Sequence, residues 1–261
     1  MNIYELLEKV RSQKPVVHHL TNWVTIYDCA QIVKSLGASP VMAHAKEEVA
    51  QMAQIASALV LNIGTLTPDF VEAMKLAAKS ANKKGIPVVL DVCGAGATEL
   101  RDKKALELLN EARIDIIKGN SSEIARVAGE NVMTKGVDAG NVEKDLIIVA
   151  KNLAKKYNCT VVITGKEDIV TDPNKVYIVK NGHQMMTHVV GTGCMAASVI
   201  GAFSAVEKDL ALASAAALSC FGIAAECAAA KSKGPMEFKQ NIFDCIYLLD
   251  KDTISKMQKT A

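Results

Sequence analysis

The run Val189-Val190-Gly191-Thr192-Gly193-Cys194-Met195-Ala196-Ala197 holds the residue types best suited to chemistry in this chain of 261 residues. An apolar stretch meets Gly-Thr-Gly, and an Ala-rich helical run follows. Glycines leave backbone N–H groups free to converge on one point with no side chain in the way. The helix that starts there aims its positive dipole end at the same point, which makes a built-in anion site. Cys194 closes the loop, and a thiol at a helix start has a lowered pKa. Three readings compete. Gly191-Thr192-Gly193-Cys194-Met195-Ala196 formally fits the dinucleotide fingerprint GxGxxA, with Asp209 near the spacing of a ribose-binding acid. That motif needs a second strand after its helix, however, and here more Ala-rich helix follows. A plain glycine turn, with Cys194 as a small buried filler, is the bland alternative. An anion hole for a transferred phosphoryl group fits the whole segment best.

Two acids stand where they could serve such a site. Asp91 ends the apolar run Pro87-Val88-Val89-Leu90 and precedes Cys93-Gly94-Ala95-Gly96-Ala97-Thr98. A strand-end acid beside a glycine loop can hold Mg²⁺ through water, or it can simply stabilise the loop. Glu123 closes Lys118-Gly119-Asn120-Ser121-Ser122-Glu123. It reads either as a metal-side acid or as a first-turn acid that satisfies a helix dipole. Together with the anion loop, the pair points to a Mg²⁺–nucleotide site. There is no GxxxxGK[ST] P-loop and no protein-kinase His-Arg-Asp or Asp-Phe-Gly. Histidines 18, 19, 44, 183 and 188 show no metal-ligand spacing, and adjacent His18 and His19 would face opposite ways in a strand. They read as hydrogen-bonded structural residues.

The elements that must position these groups alternate. Met1 to Lys14 has an amphipathic helical pattern through Ile3, Leu6, Leu7 and Val10, unlike a signal peptide. Asn22 to Leu36 is predicted helical, with Gly37 as its stop. Ala58 to Asn62 reads as a strand. Thr67-Pro68 opens a helix that runs to about Lys84 and is closed by Gly85. Pro87 to Asp91 and Ile114 to Ile117 are strands, Leu146 to Tyr157 a helix, and Thr160 to Thr164 a strand. Asp168–Thr171 and Lys175–Val179 form a hairpin around Asp172-Pro173-Asn174. Beyond the glycine loop the chain reads as almost wholly helical. This order implies βαβ units on a parallel sheet, with ligands beyond the carboxyl ends of the strands. That rule selects Asn62–Thr65, Asp91–Gly96, Lys118–Glu123, Thr164-Gly165 and the Gly191 loop. With no linker or repeat, the expectation is one α/β domain over residues 1–261.

Composition narrows the function class. The chain is 50% hydrophobic but only 4% aromatic, which suits Ala, Val, Ile and Leu packed around a parallel sheet. A net charge of +2 gives no electrostatic case for nucleic acid or an anionic membrane. Seven cysteines, an odd count without a CxxC pair, argue against a disulfide framework or zinc and for a reducing cytoplasm. Leu210 to Ala230 is nearly all apolar, but its alanine dominance and Glu226 mark a buried helix rather than a membrane span.

Assembled, these residues carry a resemblance over nearly the whole chain. It rests on Val17-His18 with Leu20-Thr21-Asn22, and on Gly37-Ala38-Ser39-Pro40-Val41-Met42-Ala43-His44. It also rests on Asp91 with Gly94-Ala95-Gly96-Ala97-Thr98, on Gly119-Asn120 with Ser122-Glu123-Ile124, on Lys135-Gly136-Val137-Asp138, and on Gly191-Thr192-Gly193-Cys194. The chain resembles the hydroxyethylthiazole kinase family of thiamine biosynthesis. The resemblance implies a ribokinase-like α/β fold, a central mostly parallel sheet with helices on both faces and no lid domain. It implies transfer of the ATP γ-phosphate to 4-methyl-5-(2-hydroxyethyl)thiazole with Mg²⁺, in a cytoplasmic homotrimer whose active sites lie at subunit interfaces. Residue by residue, it implies that Met42, Gly191, Asn22 and Val24 bind thiazole, that Lys118 and Thr164 contact nucleotide, and that Asp91 and Glu123 face the metal. Related sugar kinases carry an aspartate base where Cys194 stands. Cys194 would then orient the hydroxyl and take its proton late, while the amides of Thr192, Gly193 and Cys194 hold the phosphoryl group. The chain departs from the family pattern at Val92-Cys93, where Pro-Val is usual, at His19 for a common cysteine, and at Lys118 for a frequent arginine. Lysine meets phosphate as a point charge without the bidentate fork. A same-fold kinase for another small alcohol (a hydroxymethylpyrimidine or a sugar) and a non-catalytic binding module are the alternatives.

Overall fold

Short apolar runs of β-forming residues set the sheet. The computed structural model describes residues 2–130 and 139–260. Among them, eight strands form one sheet: β1 (Val16–Leu20), β2 (Ser39–Val41), β3 (Ala58–Asn62), β4 (Val88–Asp91), β5 (Ile116–Asn120), β6 (Thr160–Thr164), β7 (Asp168–Thr171) and β8 (Val176–Val179). Their spatial order is β2-β1-β3-β4-β5-β6-β7-β8, parallel from β2 to β6 and antiparallel from β6 to β8. The helices are α1 (Ile3–Gln13), α2 (Ile26–Leu36), α3 (Val49–Ile55), α4 (Pro68–Lys84), α5 (Glu99–Glu111), α6 (Ser121–Ala128), α7 (Ala139–Tyr157), α8 (Thr192–Ser204), α9 (Leu210–Ala229), α10 (Pro235–Leu248) and α11 (Lys251–Met257). This is the mostly parallel, helix-flanked sheet that the sequence implies.

Side chains alternate across a strand, so each parallel strand feeds two cores. Val17, Val60, Val89, Ile116 and Val162 join the core under α1, α2, α8, α9 and α10. Leu59, Leu61, Leu90, Ile117 and Val161 join the core under α3 to α7. Each fully buried Leu, Ile or Phe contributes about 1.5–3 kcal/mol over an exposed one. Alanines and glycines let α8 lie close on the sheet, and a Cβ on Gly201 would fall 2.5 Å from Val60 Cγ2 and 3.2 Å from Val17 Cγ1. By length and hydropathy α9 could cross a membrane, yet most of it is buried against α8, α10 and the sheet.

Several predicted boundaries move. The helix expected from Asn22 begins at Ile26, because the Asn22 side chain accepts the Thr25 N–H and hydroxyl at 3.1 and 3.0 Å and folds residues 22–25 into a turn. The strand expected to stop at Ile117 continues to Asn120, which takes Lys118 out of a loop and onto β5. The helix expected from Leu146 starts at Ala139. Lys135 to Asp138, part of the family resemblance, lie outside the described residues.

The topology fixes where a site can form. From β1 the chain passes through α2 to β2 on one side, whereas from β3 it passes through α4 to β4 on the other. Connections diverge between β1 and β3, and a crevice opens there at the carboxyl ends. Asn22 follows β1 and Asn62 ends β3.

Candidate active site

Helix α8 points its N-terminus at this crevice. Gly191 is its N-cap, with φ +93°, a left-handed conformation that favours glycine. The approach is tight, since a Cβ on Gly191 would lie 2.5 Å from Thr25 Cγ2. The N–H groups of the first turn, on Thr192, Gly193 and Cys194, have no intrahelical acceptor and face an incoming anion. The Lys118 ammonium, nearly fully buried, sits beside this loop, with Nζ 3.2 Å from where a Gly193 Cβ would be. A cationic group and three aligned amides therefore share one point, which suits a phosphoryl group in transfer.

Lys118 also donates to Asp91 Oδ2 at 3.1 Å. Burial alone would lower the Lys118 pKa, but the charges of Asp91, Cys194 and Glu123 hold it above its ordinary value. Burial pushes Asp91 upward, the Cys194 and Glu123 charges push the same way, and Lys118 opposes them. We take the pair as ionised, because two buried partners at hydrogen-bond distance are worth more charged than neutral. Asp91 Oδ1 is buried and has no partner among the described residues.

Asp91 thus has a carboxylate oxygen to spare for a cation. Among the described residues no three His, Cys, Asp or Glu side chains form a ready metal cage. Mg²⁺ does not require one, since it keeps several waters and takes phosphate oxygens as ligands. Glu123 is more committed. Its Oε1 accepts from Gly94 N–H and its Oε2 from Asn120 N–H, both at 2.7 Å, while Asn120 Oδ1 accepts the Glu123 N–H at 2.9 Å. This is a capping box on α6, the helix-terminus reading of Glu123. Each oxygen keeps a second lone pair. The donor set fits a hydrated Mg²⁺.

Cys194 Sγ accepts from Asn22 Nδ2 at 3.2 Å and from Asn62 Nδ2 at 3.4 Å. The neighbouring Cys93 thiol, then the Thr25 and Asn22 side chains and the Lys118 charge, bring its pKa down to about 5 against the effect of burial. Cys93 is driven upward in return. No histidine takes part in this activation. Cys93 is one of the departures from the family pattern, and its influence on Cys194 was not legible from the sequence.

Thr164 and Gly165, at the end of β6, line a cavity of about 380 Å³ with Asp168, Thr192, Gly193 and Phe221. It adjoins the anion loop, with a polar end at Thr192 and an apolar wall at Leu218 and Phe221. Asn22, Asp91, Lys118, Gly191, Gly193 and Cys194 thus meet in one connected set. Met42 and Val24 stand apart from it. Met42 lies just past β2, its carbonyl 3.2 Å from His44 Nδ1. His44 meets the Trp23 ring edge-on at 4.6 Å. Val24 is 68% exposed on this single chain.

Two organising residues were missed by sequence reasoning. Asn62 was flagged only as the start of a strand-end loop, although its amide bridges Asp91 and Cys194. Arg101 gave no signal at all. Its guanidinium donates to the carbonyls of Ile63, Gly64 and Cys93 at 2.8–3.1 Å and ties the β3 and β4 loops together.

Comparison with known proteins gives a consistent result. A sequence model described as the hydroxyethylthiazole kinase family matches residues 7–252. A hydroxyethylthiazole kinase of Methanosarcina mazei is 54% identical, with 97% of each chain covered. The solved structure of a hydroxyethylthiazole kinase protein from Pyrococcus horikoshii superposes with a TM-score of 0.92 at 40% identity, covering 99% of this chain and 98% of that one. A ribokinase-like superfamily protein of Enterococcus faecalis shares only the fold, with a TM-score of 0.65 at 14% identity over 93% of both chains.

Proposed function

This chain belongs to the hydroxyethylthiazole kinase family, and from that premise we infer how its crevice carries out the reaction. The enzyme phosphorylates hydroxyethylthiazole in thiamine biosynthesis and salvage, with ATP as co-substrate. The single observation that carries the site reading is the convergence of the Gly191–Cys194 loop, the Lys118 ammonium and the Cys194 sulfur on one point.

ATP enters the cavity beside Thr164, with its γ-phosphoryl at the amides of Thr192, Gly193 and Cys194. Lys118 neutralises charge there as phosphorus leaves the β–γ bridging oxygen and bonds to the alcohol oxygen. Phosphoryl transfer has a loose transition state, so deprotonation comes late. Cys194 orients the hydroxyl, accepts its proton as the new P–O bond forms and later passes it to solvent. The donors around the sulfur support this reading, because N–H bonds favour the thiolate and so keep the sulfur unprotonated as an acceptor until the hydroxyl turns acidic late in transfer. Asp91 and Glu123 would hold Mg²⁺, Asp91 through its free oxygen and Glu123 through its remaining lone pairs. When bound, the ion neutralises phosphate charge and orients the nucleotide.

Asn22 and Gly191 form one wall of the thiazole pocket, and Met42 and Val24 complete it where another subunit covers them. The exposed apolar Val24, Tyr27 and Val190 support a homotrimer with interfacial sites. One eight-stranded sheet spanning the chain supports a single kinase domain, and seven free cysteines support a cytoplasmic setting. The test is ADP release with Mg²⁺–ATP, with and without hydroxyethylthiazole, and mass detection of the phosphorylated thiazole. Thiazole-dependent product is expected. ADP release that ignores thiazole but follows another alcohol would move the substrate and keep the fold.

A further inference from the structure

Asn62 is an amide at the end of β3 that is only 1% exposed, and all its hydrogen-bonding capacity is directed. Its Oδ1 accepts from the Gly64 backbone N–H at 2.9 Å. A backbone N–H can only donate, so the orientation of the amide is settled. Both N–H bonds of Nδ2 must then point the other way, where Asp91 Oδ2 lies at 2.9 Å and Cys194 Sγ at 3.4 Å. The partner amide is fixed by the same logic. Asn22 Oδ1 accepts the Thr25 N–H at 3.1 Å, so Asn22 Nδ2 is the end that reaches Asn62 Oδ1 at 3.0 Å and Cys194 Sγ at 3.2 Å. The two amides close the crevice between β1 and β3, and each gives one N–H to the same sulfur.

We propose that Asn62 is a positioning residue for phosphoryl transfer: its amide ties the Cys194 sulfur to the Asp91 carboxylate and holds both beside the anion loop. The proposal rests on the reading of Cys194 as the proton acceptor and Asp91 as a metal-side acid. Asn62 touches neither nucleotide nor alcohol in that scheme and acts through the two groups it joins. A buried amide that merely satisfied Asp91 would need one donor and no contact with sulfur. Here the second donor is spent on Cys194, and the amide plane is held by a backbone group that cannot rotate.

Two substitutions separate positioning from filling. Asn62→Asp keeps the shape and the oxygen that receives Gly64 and Asn22, but it replaces the donating end with an oxygen facing Asp91 and Cys194. Asn62→Ala removes the whole amide, and Asn62→Ser restores one small donor. The full chain is assayed with Mg²⁺–ATP and hydroxyethylthiazole, with thermal melting to verify folding. We expect kcat to fall roughly 10–100-fold in Asn62→Ala, the scale of one or two hydrogen bonds to charged groups, with both KM values within about 3-fold. Asn62→Asp should be slower still, and Asn62→Ser should recover part of kcat. In a Cys194→Ala background the same Asn62→Ala change should cost at least about 3-fold less than in the wild type, the signature of coupled groups.

A folded Asn62→Asp with wild-type kcat would overturn the proposal. So would a loss that multiplies in full with that of Cys194→Ala, and so would KM rising in step with the loss of kcat. In each of those cases Cys194→Ala alone is still slow, and the base-site reading survives. Cys194→Ala at wild-type kcat would instead remove the base-site reading and the proposal with it.

Discussion

Gly191→Ala perturbs the site at its tightest point. The native φ of +93° is costly for any residue with a Cβ, at about 1–2 kcal/mol. The new methyl would also lie 2.5 Å from Thr25 Cγ2 and 3.1 Å from Thr25 Cβ, an overpacking worth about 1–3 kcal/mol. Summed, the loss is roughly 2–5 kcal/mol, or about 4–20 °C in Tm for a chain of this size. Activity should suffer further. Thr25 donates its hydroxyl to Asn22, and Asn22 donates to Cys194, so a displaced Thr25 drags the sulfur with it. A shift near 1 Å costs on the order of 100-fold in rate. The discriminating assay adds Thr25→Ser, which deletes Cγ2 and keeps the hydroxyl. Alone it should cost about 1 kcal/mol, the value of one buried methyl. Combined with Gly191→Ala it should raise Tm and kcat above those of the single Gly191→Ala variant, leaving the φ penalty and the 3.1 Å approach to the retained Cβ. Additive losses in the double variant would refute the contact, and an undisturbed Gly191→Ala enzyme would refute the left-handed cap itself.

Three further outcomes are expected. Cys194→Ser should slow turnover without abolishing it and Cys194→Asp should stay active; because the native sulfur titrates below the ordinary thiol range, the wild-type rate should fall only on the acid side of neutrality, and a rate limb near pH 8.5 would contradict this. Asp91→Ala should weaken Mg²⁺–ATP use far more than thiazole binding, read by separate titrations of each ligand; equal losses would count against a metal role. His19 is buried neutral with its pKa lowered to about 4, so it binds a proton when unfolded but not when folded between about pH 6.5 and 4. Stability should therefore be full above about pH 6.5 and decline by roughly 3 kcal/mol as pH falls to 4, a slope that His19→Gln should flatten in melts across that window.

Elements governed by local rules were legible in the sequence. Ala58–Asn62, Thr160–Thr164 and Asp168–Thr171 are strands with the bounds expected, because short apolar runs bounded by turn residues, β-branched in the last two, admit little else. Helix α4 also has the ends expected, since Thr67 caps Phe70 N–H, Pro68 sits at N1 and Gly85 takes the left-handed stop. What failed depends on tertiary contact. Asn22 carries helical periodicity, but its side chain is worth more holding Thr25 and Cys194 than extending a helix. Lys118 follows an apolar strand and looks like a loop residue until Asp91, on the neighbouring strand, gives its ammonium a buried partner. Cys93 and Cys194 lie 101 positions apart in the sequence, and only the fold brings the Cys93 thiol near enough to influence Cys194. The same holds for Asn62, whose importance lies in the residues beside it rather than in any motif that contains it.

The glycine at 201 gives the site a mechanical dimension. It lets α8 rest directly against Val60 and Val17 on the sheet. Seven to nine residues of helix, about 10–14 Å, separate it from the amides of Thr192, Gly193 and Cys194 at the crevice. A hydrogen-bonded helix of that length tilts as a rod rather than flexing, so the depth of one seat sets the reach of the other end. A methyl group at 201 would lift the far end off the sheet and swing the amides away from Lys118. In the proposed mechanism, phosphoryl transfer would then be tuned from a point that no substrate touches, through leverage rather than contact.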